Sequence, residues 1–271
     1  MSFLKKVWAA GIVGCGGAGF PTHIKWNTKA AGILIVNAVE CEPLLCTDRY
    51  LMRHFAADIV TGCGYVAEQL GVTETVIAIK KEYREEILTL EAAIAATGRK
   101  IQLKKLMAFY PAGDEQVIVR EVTGRTVPYG GIPLDVGAVV SNVATMLAAA
   151  QAVKDVPMTE KYITVAGEVK TPCIVKAPVG TSVEDCLAAA GGSLTRDPVI
   201  VAGGPMMGKL ISNEPQADQV VTKTTSGLLV FPPENYMATY KRPLELAALR
   251  KRAATSCIQC SYCSMLCPRH M

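Results

Sequence analysis

The sequence predicts a doubly wound α/β domain followed by a small α+β module. Three observations carry that expectation. Between Gly32 and about Val153, short apolar runs alternate with helix-length segments. After Lys154-Asp155-Val156-Pro157 the texture changes, and short strands crowd around one brief helix. The 271 residues, 50% of them hydrophobic and 19% charged, suffice for about two domains with cores of their own, which excludes disorder as the main state.

Each element has a local reason. Ile33-Leu34-Ile35-Val36 is a short apolar run of strand type. Asp48 to Leu70 reads as one helix, because Leu51, Phe55, Ile59 and Val66 recur at helical spacing and Gly71 stands at its end. Thr75 to Ile79 is a second strand, and Lys81 to Thr97 a second helix closed by Gly98. Val136 to Val153 reads as a buried helix; Ser141, Asn142 and Gln151 interrupt it too often for a membrane span of about 20 apolar residues. Tyr162 to Val165 and Ile174-Val175 are strands around a Gly167-Glu168-Val169 turn. Thr181 and Glu184 have capping-box spacing, starting a helix that stops at Gly191-Gly192. Pro198 to Val201 is a further strand, and the whole module is of the β-grasp kind. A third piece starts near Pro243, with a helix over Leu244 to Arg252.

Composition excludes several functions. A net charge of +4 is too mild for a nucleic-acid binder, and 6% aromatic residues offer no base-stacking surface. Lys5-Lys6 ahead of the Val7 to Cys15 stretch imitates a secretion signal, but the stretch is short and rich in glycine.

Cysteine placement is the sharpest clue. Of ten cysteines, Cys257, Cys260, Cys263 and Cys267 form one tight run, with Pro268 after the last. The spacing C-x2-C-x2-C-x3-C-P is that of a bacterial ferredoxin, whose soft thiolates hold an iron–sulfur cube. Zinc sites pair two knuckles across a longer gap, which is missing here. In two-cluster ferredoxins the fourth cysteine ligates the other cluster. Either Cys267 completes a single [4Fe–4S] cluster, or the chain is cut from a longer one.

Four polar constellations punctuate the α/β region. Gly14, Gly16, Gly17 and Gly19, followed by Phe20, make a loop through which backbone N–H groups can approach a phosphate, with Lys25 near to add charge. The loop precedes the first strand, so it lacks the context of a Rossmann fingerprint. Asn37, Glu40 and Glu42 sit at the C-terminal end of a strand, where open α/β sheets bind ligands. Tyr110, Gly113, Asp114 and Glu115 open a helix, and Ser141, Asn142 and Thr145 start another. Singly, each reads as turn or capping chemistry.

In this order the motifs resemble the flavin subunit of respiratory complex I. They are more similar to the RnfC component of the Rnf electron-transport complex, and most similar to the cobalamin (corrinoid) reductases of propanediol-utilisation microcompartments. Asn37-Ala-Val-Glu-Cys-Glu-Pro-Leu-Leu45, Cys257-Ile-Gln-Cys-Ser-Tyr-Cys263 and Gly203-Gly-Pro-Met-Met-Gly208 carry the resemblance. It implies an FMN-binding domain like that of the complex I flavin subunit over residues 1–156, a soluble-ligand-binding β-grasp (SLBB) domain over 157–240, and the start of a helical iron–sulfur domain over 241–271. Full-length members carry two cysteine quartets, so the chain is expected to end after the first, with a poorly supported terminal segment and an absent or incomplete cluster.

The resemblance further implies that the glycine loop, Lys25, Asn37, Glu40, Tyr110, Gly113, Asp114, Glu115, Ser141, Asn142 and Thr145 surround FMN. Phe20, Glu42 and Glu115 are then expected near NADH. Cys15, Val39 and Ser141 stand where the complex I pattern has Arg, Asp and a second Asn. The implied protein is a cytoplasmic, NADH-dependent flavin/iron–sulfur oxidoreductase inside a bacterial microcompartment. It would reduce a corrinoid, or serve a corrinoid-dependent diol dehydratase, with the shell or other electron-transfer proteins as further partners. The alternative is an Rnf-like component or adaptor that relays electrons without oxidising NADH itself. Hydride transfer needs no general base, so no catalytic acid or base is expected. No second fingerprint exists to hold an AMP half, which favours FMN over FAD.

Overall fold

A computed structural model of the chain describes residues 1–211, 219–241 and 244–269. Pro243, the expected start of the third piece, lies outside the described residues. In chain order the first unit comprises α1 (Phe3–Ala9), α2 (Thr22–Lys25), β1 (Ile33–Ala38), α3 (Thr47–His54), α4 (Ala56–Leu70), β2 (Glu74–Lys80), α5 (Arg84–Thr97), β3 (Gln102–Leu106), α6 (Glu115–Thr123), β4 (Ala138–Asn142) and α7 (Val143–Val153).

Strand alternation builds two cores from one sheet. Leu34, Val36 and Ala38 of β1 pack with Ile77, Ile79 and the inner faces of α1, α3, α4, α5 and α7. Ile33 and Ile35 point the other way, against Val76, Ala78 and Ile118 of α6. The sheet order is β3-β2-β1-β4, every pair parallel. Strand order therefore reverses between β1 and β4, and a crevice opens at their C-terminal ends, where Asn37 lies opposite Asn142.

The second unit comprises β5 (Glu160–Gly167), β6 (Cys173–Pro178), α8 (Val183–Ala189), β7 (Val199–Ala202), β8 (Lys209–Leu210) and β9 (Gly227–Phe231). Its mixed sheet, ordered β6-β5-β9-β7-β8, curls over Val183 and Cys186 of α8, as expected of a β-grasp. Beyond it lie α9 (Tyr236–Tyr240), α10 (Leu246–Ser256) and α11 (Tyr262–Met265). No residue of α10 or α11 is buried.

The two units interlock through the segment after β1. Leu45 packs with Val201 and Leu229 of the second sheet. The Thr47 hydroxyl lies 2.8 Å from the Thr164 hydroxyl and donates to the Ser226 carbonyl at 2.9 Å. In return Met158 enters the first core, and Tyr162 packs on Tyr50 and Phe55 with ring centroids 5.7 and 5.4 Å apart. The second unit thus forms a wall beside the crevice of the first.

Several expectations change. The helix expected over Asp48 to Leu70 is two helices, broken at Phe55, whose φ of −131° leaves the helical range. The run from Val136 to Val153 is not one helix: Ala138–Asn142 is a strand, and only Val143 onward is helical. A continuous apolar run cannot distinguish the two by periodicity. The cap of α8 is shifted by one residue, with Ser182 Oγ accepting from the Asp185 amide while Thr181 donates to Pro178 O. β3 escaped the pattern because it is an edge strand carrying Lys104 and Lys105, as edges often do.

Candidate functional site

The glycine loop is a closed hairpin. Gly14 N–H donates to Phe20 O at 2.9 Å, Gly19 N–H to Gly14 O at 3.3 Å, and Val13 bridges Pro21. Gly17 has φ +106°, a backbone state that side chains rarely adopt. A Cβ on Gly17 would meet nothing within 4 Å, and one on Gly16 would approach the Asn142 Cβ at 3.7 Å. Gly16, Gly17 and Ala18 are exposed, and their N–H groups find no acceptor among the described residues. Three successive exposed amides without an acceptor are the raw material of an anion cradle.

Two buried hydroxyls hold this loop and its helix in place. Cys15 N–H donates to Thr145 Oγ1 at 3.1 Å, and Trp26 Nε1–H to Ser141 Oγ at 3.1 Å. Both acceptors are buried, so Thr145 and Ser141 act as anchors. Asn142 caps α7 by accepting from the Ala144 amide at 2.8 Å, and donates its Nδ2–H to Asp48 Oδ2 at 2.6 Å. The positive end of α7 faces the same crevice.

The opposite wall is built around Asn37. Its Oδ1 accepts from Val39 N–H at 2.9 Å, and its Nδ2 donates to Gly113 O at 2.8 Å. Gly113 is required there, because a Cβ would fall 2.8 Å from Val39 O and 3.0 Å from Cys41 Sγ. Asp114 caps α6 by accepting from the Gln116 and Val117 amides. It also receives Arg269 through Nε and Nη2, at 3.2 and 2.5 Å. Glu115, the first residue of α6, pairs with Lys25 from the loop side. Two expected site residues from opposite walls are thereby joined. Phe20 is half exposed at the rim.

A part-buried acid cluster lies beside the crevice. Glu40 Oε2 accepts from the Asp48 amide at 3.0 Å. Burial, then the Asp48 carboxylate, push the Glu40 carboxyl up to about 8, against the pull of the Asp48 amide and Lys80. Asp48 is itself raised by burial, with the Asn142 amide and the Lys161 ammonium opposing. The Glu40 carbonyl receives both Lys80 Nζ and the Tyr83 hydroxyl at 2.8 Å. Burial also raises the Cys41 thiol. Lys80, Tyr83 and Lys161 belong to the site's support and were not singled out from the sequence. Lys161 is almost fully buried on β5 of the other unit, a placement that no local pattern announces.

Glu42 and the cysteine run stand apart from the groups that meet at the crevice. Glu42 does not face the crevice as a free carboxylate; its oxygens accept from the Met206 and Met207 amides of the second unit at 2.9 and 2.8 Å. The cysteine run is not assembled. Among the described residues no three of His, Cys, Asp or Glu converge on a metal position, and Cys257, Cys260 and Cys263 are exposed. As placed, these thiols do not fit a cluster. A cavity of about 250 Å³ lined by Cys63, Gly64, Glu68, Thr75 and Arg99 lies at the other end of the sheet, away from every candidate residue.

On the structure's own terms the crevice offers the phosphate of FMN an exposed loop whose Gly16, Gly17 and Ala18 amides have no acceptor among the described residues. Comparison with known proteins agrees. The family described as the Nuo51 FMN-binding domain matches residues 7–151, and the SLBB domain matches residues 162–210. Cobalamin reductase PduS of Salmonella typhimurium is 43% identical over 98% of this chain and 58% of its own length. A component of the proton-translocating ferredoxin:NAD(+) oxidoreductase complex of Clostridium ljungdahlii is 34% identical over 97% of this chain and 54% of its own. This chain therefore spans little more than half of these curated relatives. The crystal structure of the NAD+-reducing [NiFe]-hydrogenase in the H2-reduced state contains a similar fold, with a TM-score of 0.72 and 25% identity over 86% of this chain and 47% of that one. The free amides at the switch point, the parallel sheet beneath them and a family match over more than half of the chain lead to one assignment: the chain belongs to the Nuo51 FMN-binding domain family.

Proposed function

We propose that the chain is the flavin-binding part of an NADH-linked electron-transfer protein whose acceptor is a corrinoid. The observation that carries this reading is the cradle of Gly16, Gly17 and Ala18 amides beside Asn142. FMN, when bound, supplies the chemistry that takes a hydride and releases its electrons singly. The chain's residues bind and orient. The loop amides and Lys25 hold the phosphate. Asn37 fixes the Gly113 turn, and Asn142 ties α7 to Asp48. Glu40 keeps its proton near neutrality, so it presents no full negative charge to an electron-rich ring. Phe20, half exposed, and Glu115, paired with Lys25, are the residues that the resemblance sets beside a nicotinamide donor. The corrinoid follows from the relative named cobalamin reductase; a cytoplasmic setting within a microcompartment serving a diol dehydratase is part of the same proposal and rests on the resemblance of the motifs alone. Among the described residues no helix is long and apolar enough to cross a membrane.

A second reading is favoured by one specific residue. Val39 is buried against the α6 core where the complex I pattern has Asp, so one acidic group of that pattern is missing. The protein would then take electrons from a partner, as an Rnf-type component does. Anaerobic titration with NADH separates the two. Bleaching of bound flavin on NADH addition is expected; unbleached flavin that a chemical reductant does reduce selects the adaptor. Mass spectrometry of released cofactor is expected to show FMN, and FAD would overturn the assignment.

Lys25→Ala is expected to weaken FMN binding about tenfold, the weight of one charge-assisted hydrogen bond. Its pairing with Glu115 adds little, since the two side chains are 31% and 44% exposed. Unchanged affinity in a fluorescence titration would show that Lys25 serves Glu115 alone.

A further inference from the structure

Both oxygens of the Glu42 carboxylate are engaged by the Met206 and Met207 amides. The turn that supplies them is closed by Gly208 N–H to Gly204 O at 2.8 Å and hung from β9 by Gly203 N–H to Gly227 O at 2.8 Å. Gly204 has a specific reason to be glycine: a Cβ there would lie 2.0 Å from Glu42 Oε2. On its far side the turn is gripped again. The Lys241 ammonium donates to the carbonyls of Met206 and Gly208 at 2.8 and 2.9 Å. A carboxylate on one side and an ammonium on the other thus hold the turn by its backbone, leaving its side chains free. Met206 and Met207 are 46% and 77% exposed. Tyr110 is 43% exposed, and burial and then the Glu42 carboxylate raise its phenol.

We infer that Glu42 is a positioning residue: it fastens the Gly203–Gly208 turn of the second domain at the mouth of the crevice, so that Met206, Met207 and Tyr110, not the Glu42 carboxylate, form the surface a nicotinamide dinucleotide meets. Only the identity of the visitor rests on the proposed function; the fastening stands without it. The chemistry suits the assignment. A dinucleotide carries two phosphates, and a free carboxylate at the mouth would repel them, whereas one bound by two amides has its charge compensated. Thioethers and a phenol ring offer a polarisable surface to flat heteroaromatic rings.

The test uses the full chain with FMN bound, and compares Glu42→Ala, Glu42→Gln and Gly204→Ala. Amide hydrogen exchange at Met206 and Met207 is expected to speed up about tenfold or more in Glu42→Ala, with Glu42→Gln intermediate. In stopped flow, the NADH concentration for half-maximal flavin reduction is expected to rise, with the limiting rate and FMN affinity kept. Gly204→Ala should show the same split, because it expels Glu42 without removing it. Unchanged exchange in Glu42→Ala overturns the fastening. A raised NADH requirement in Glu42→Ala but not in Gly204→Ala, with exchange accelerated in both, shows that Glu42 touches the donor and overturns the positioning role. If wild-type flavin is not reduced by NADH, the proposed function fails, and hydrogen exchange alone still decides the fastening.

Discussion

Asn142→Ala is expected to cost about 2–4 kcal/mol of stability and to abolish measurable FMN binding. One side chain does two jobs at the switch point. Its Oδ1 caps α7, and losing such a cap costs about 1 kcal/mol. Its Nδ2 donates to the part-buried Asp48 carboxylate at 2.6 Å, and stripping a donor from such an acceptor costs a further ~1–3 kcal/mol. The cradle suffers too, since Gly16 packs beside the Asn142 Cβ and the start of α7 is released. Urea unfolding and FMN titration measure the two effects. Two variants separate the jobs. Asn142→Ser keeps a cap but loses the donation, and should recover about a third of the stability loss. Asn142→Asp also keeps the cap but sets a carboxylate against Asp48, so it should be worse at pH 8 than at pH 5. Equal stability of Asn142→Ala and wild type would remove Asn142 from the support of the site.

The α/β core was legible because its reasons are local. β1 is a pure apolar run, β2 repeats it, and Gly71 and Gly98 end α4 and α5 in the left-handed region, with φ of 75° and 63°. The strand β4 was lost inside an apolar run for the opposite reason. It is covered on both faces and continues into a buried helix, so no polar residue breaks the pattern until Ser141 and Asn142. Those two polar residues, read as the start of a helix, mark the corner where strand becomes helix and where the site lies.

Which candidate residues come together was legible as a set, and what each of them touches was not. Gly14 to Phe20, Asn37, Gly113 and Asn142 do converge, because each sits at the C-terminal edge of β1 or β4 or on a loop crossing it. Roles depend on what approaches from elsewhere in the chain. Ser141 and Thr145 anchor Trp26 and Cys15 rather than line open space. Asp114 spends its carboxylate on a helix cap and on Arg269. Glu42 belongs to a contact with the second domain that no spacing around residue 42 could announce. Capping and ligand binding use the same residue types, so local pattern alone leaves them interchangeable.

Wild-type stability is expected to fall as pH rises from about 5 to 8, and Glu40→Gln to remove most of that slope. The native state holds Glu40 up to about 8, against 4.5 for the ordinary carboxyl, chiefly through burial and then through Asp48. Below both values each state carries the proton and the group contributes no pH dependence. Between them the folded chain keeps a proton that the unfolded chain has released, so raising the pH favours unfolding. Above about 8 the native group must ionise beside Asp48 and Glu42, with Lys80 the opposing cation, and the loss is complete. At about 1.4 kcal/mol per unit, and with Asp48 sharing the same proton balance, the difference across this window is on the order of 2–4 kcal/mol. Glutamine keeps an oxygen to accept the Asp48 amide, which Glu40 now accepts at 3.0 Å, without a charge to bury. The two proteins should therefore be similar near pH 5 and diverge by pH 9, with Glu40→Gln the more stable. Urea unfolding at pH 5, 7 and 9 reads this directly. Parallel pH profiles for wild type and Glu40→Gln would show that Glu40 is already ionised in the folded protein, and the neutral acid assigned to the floor of the site would be lost with it.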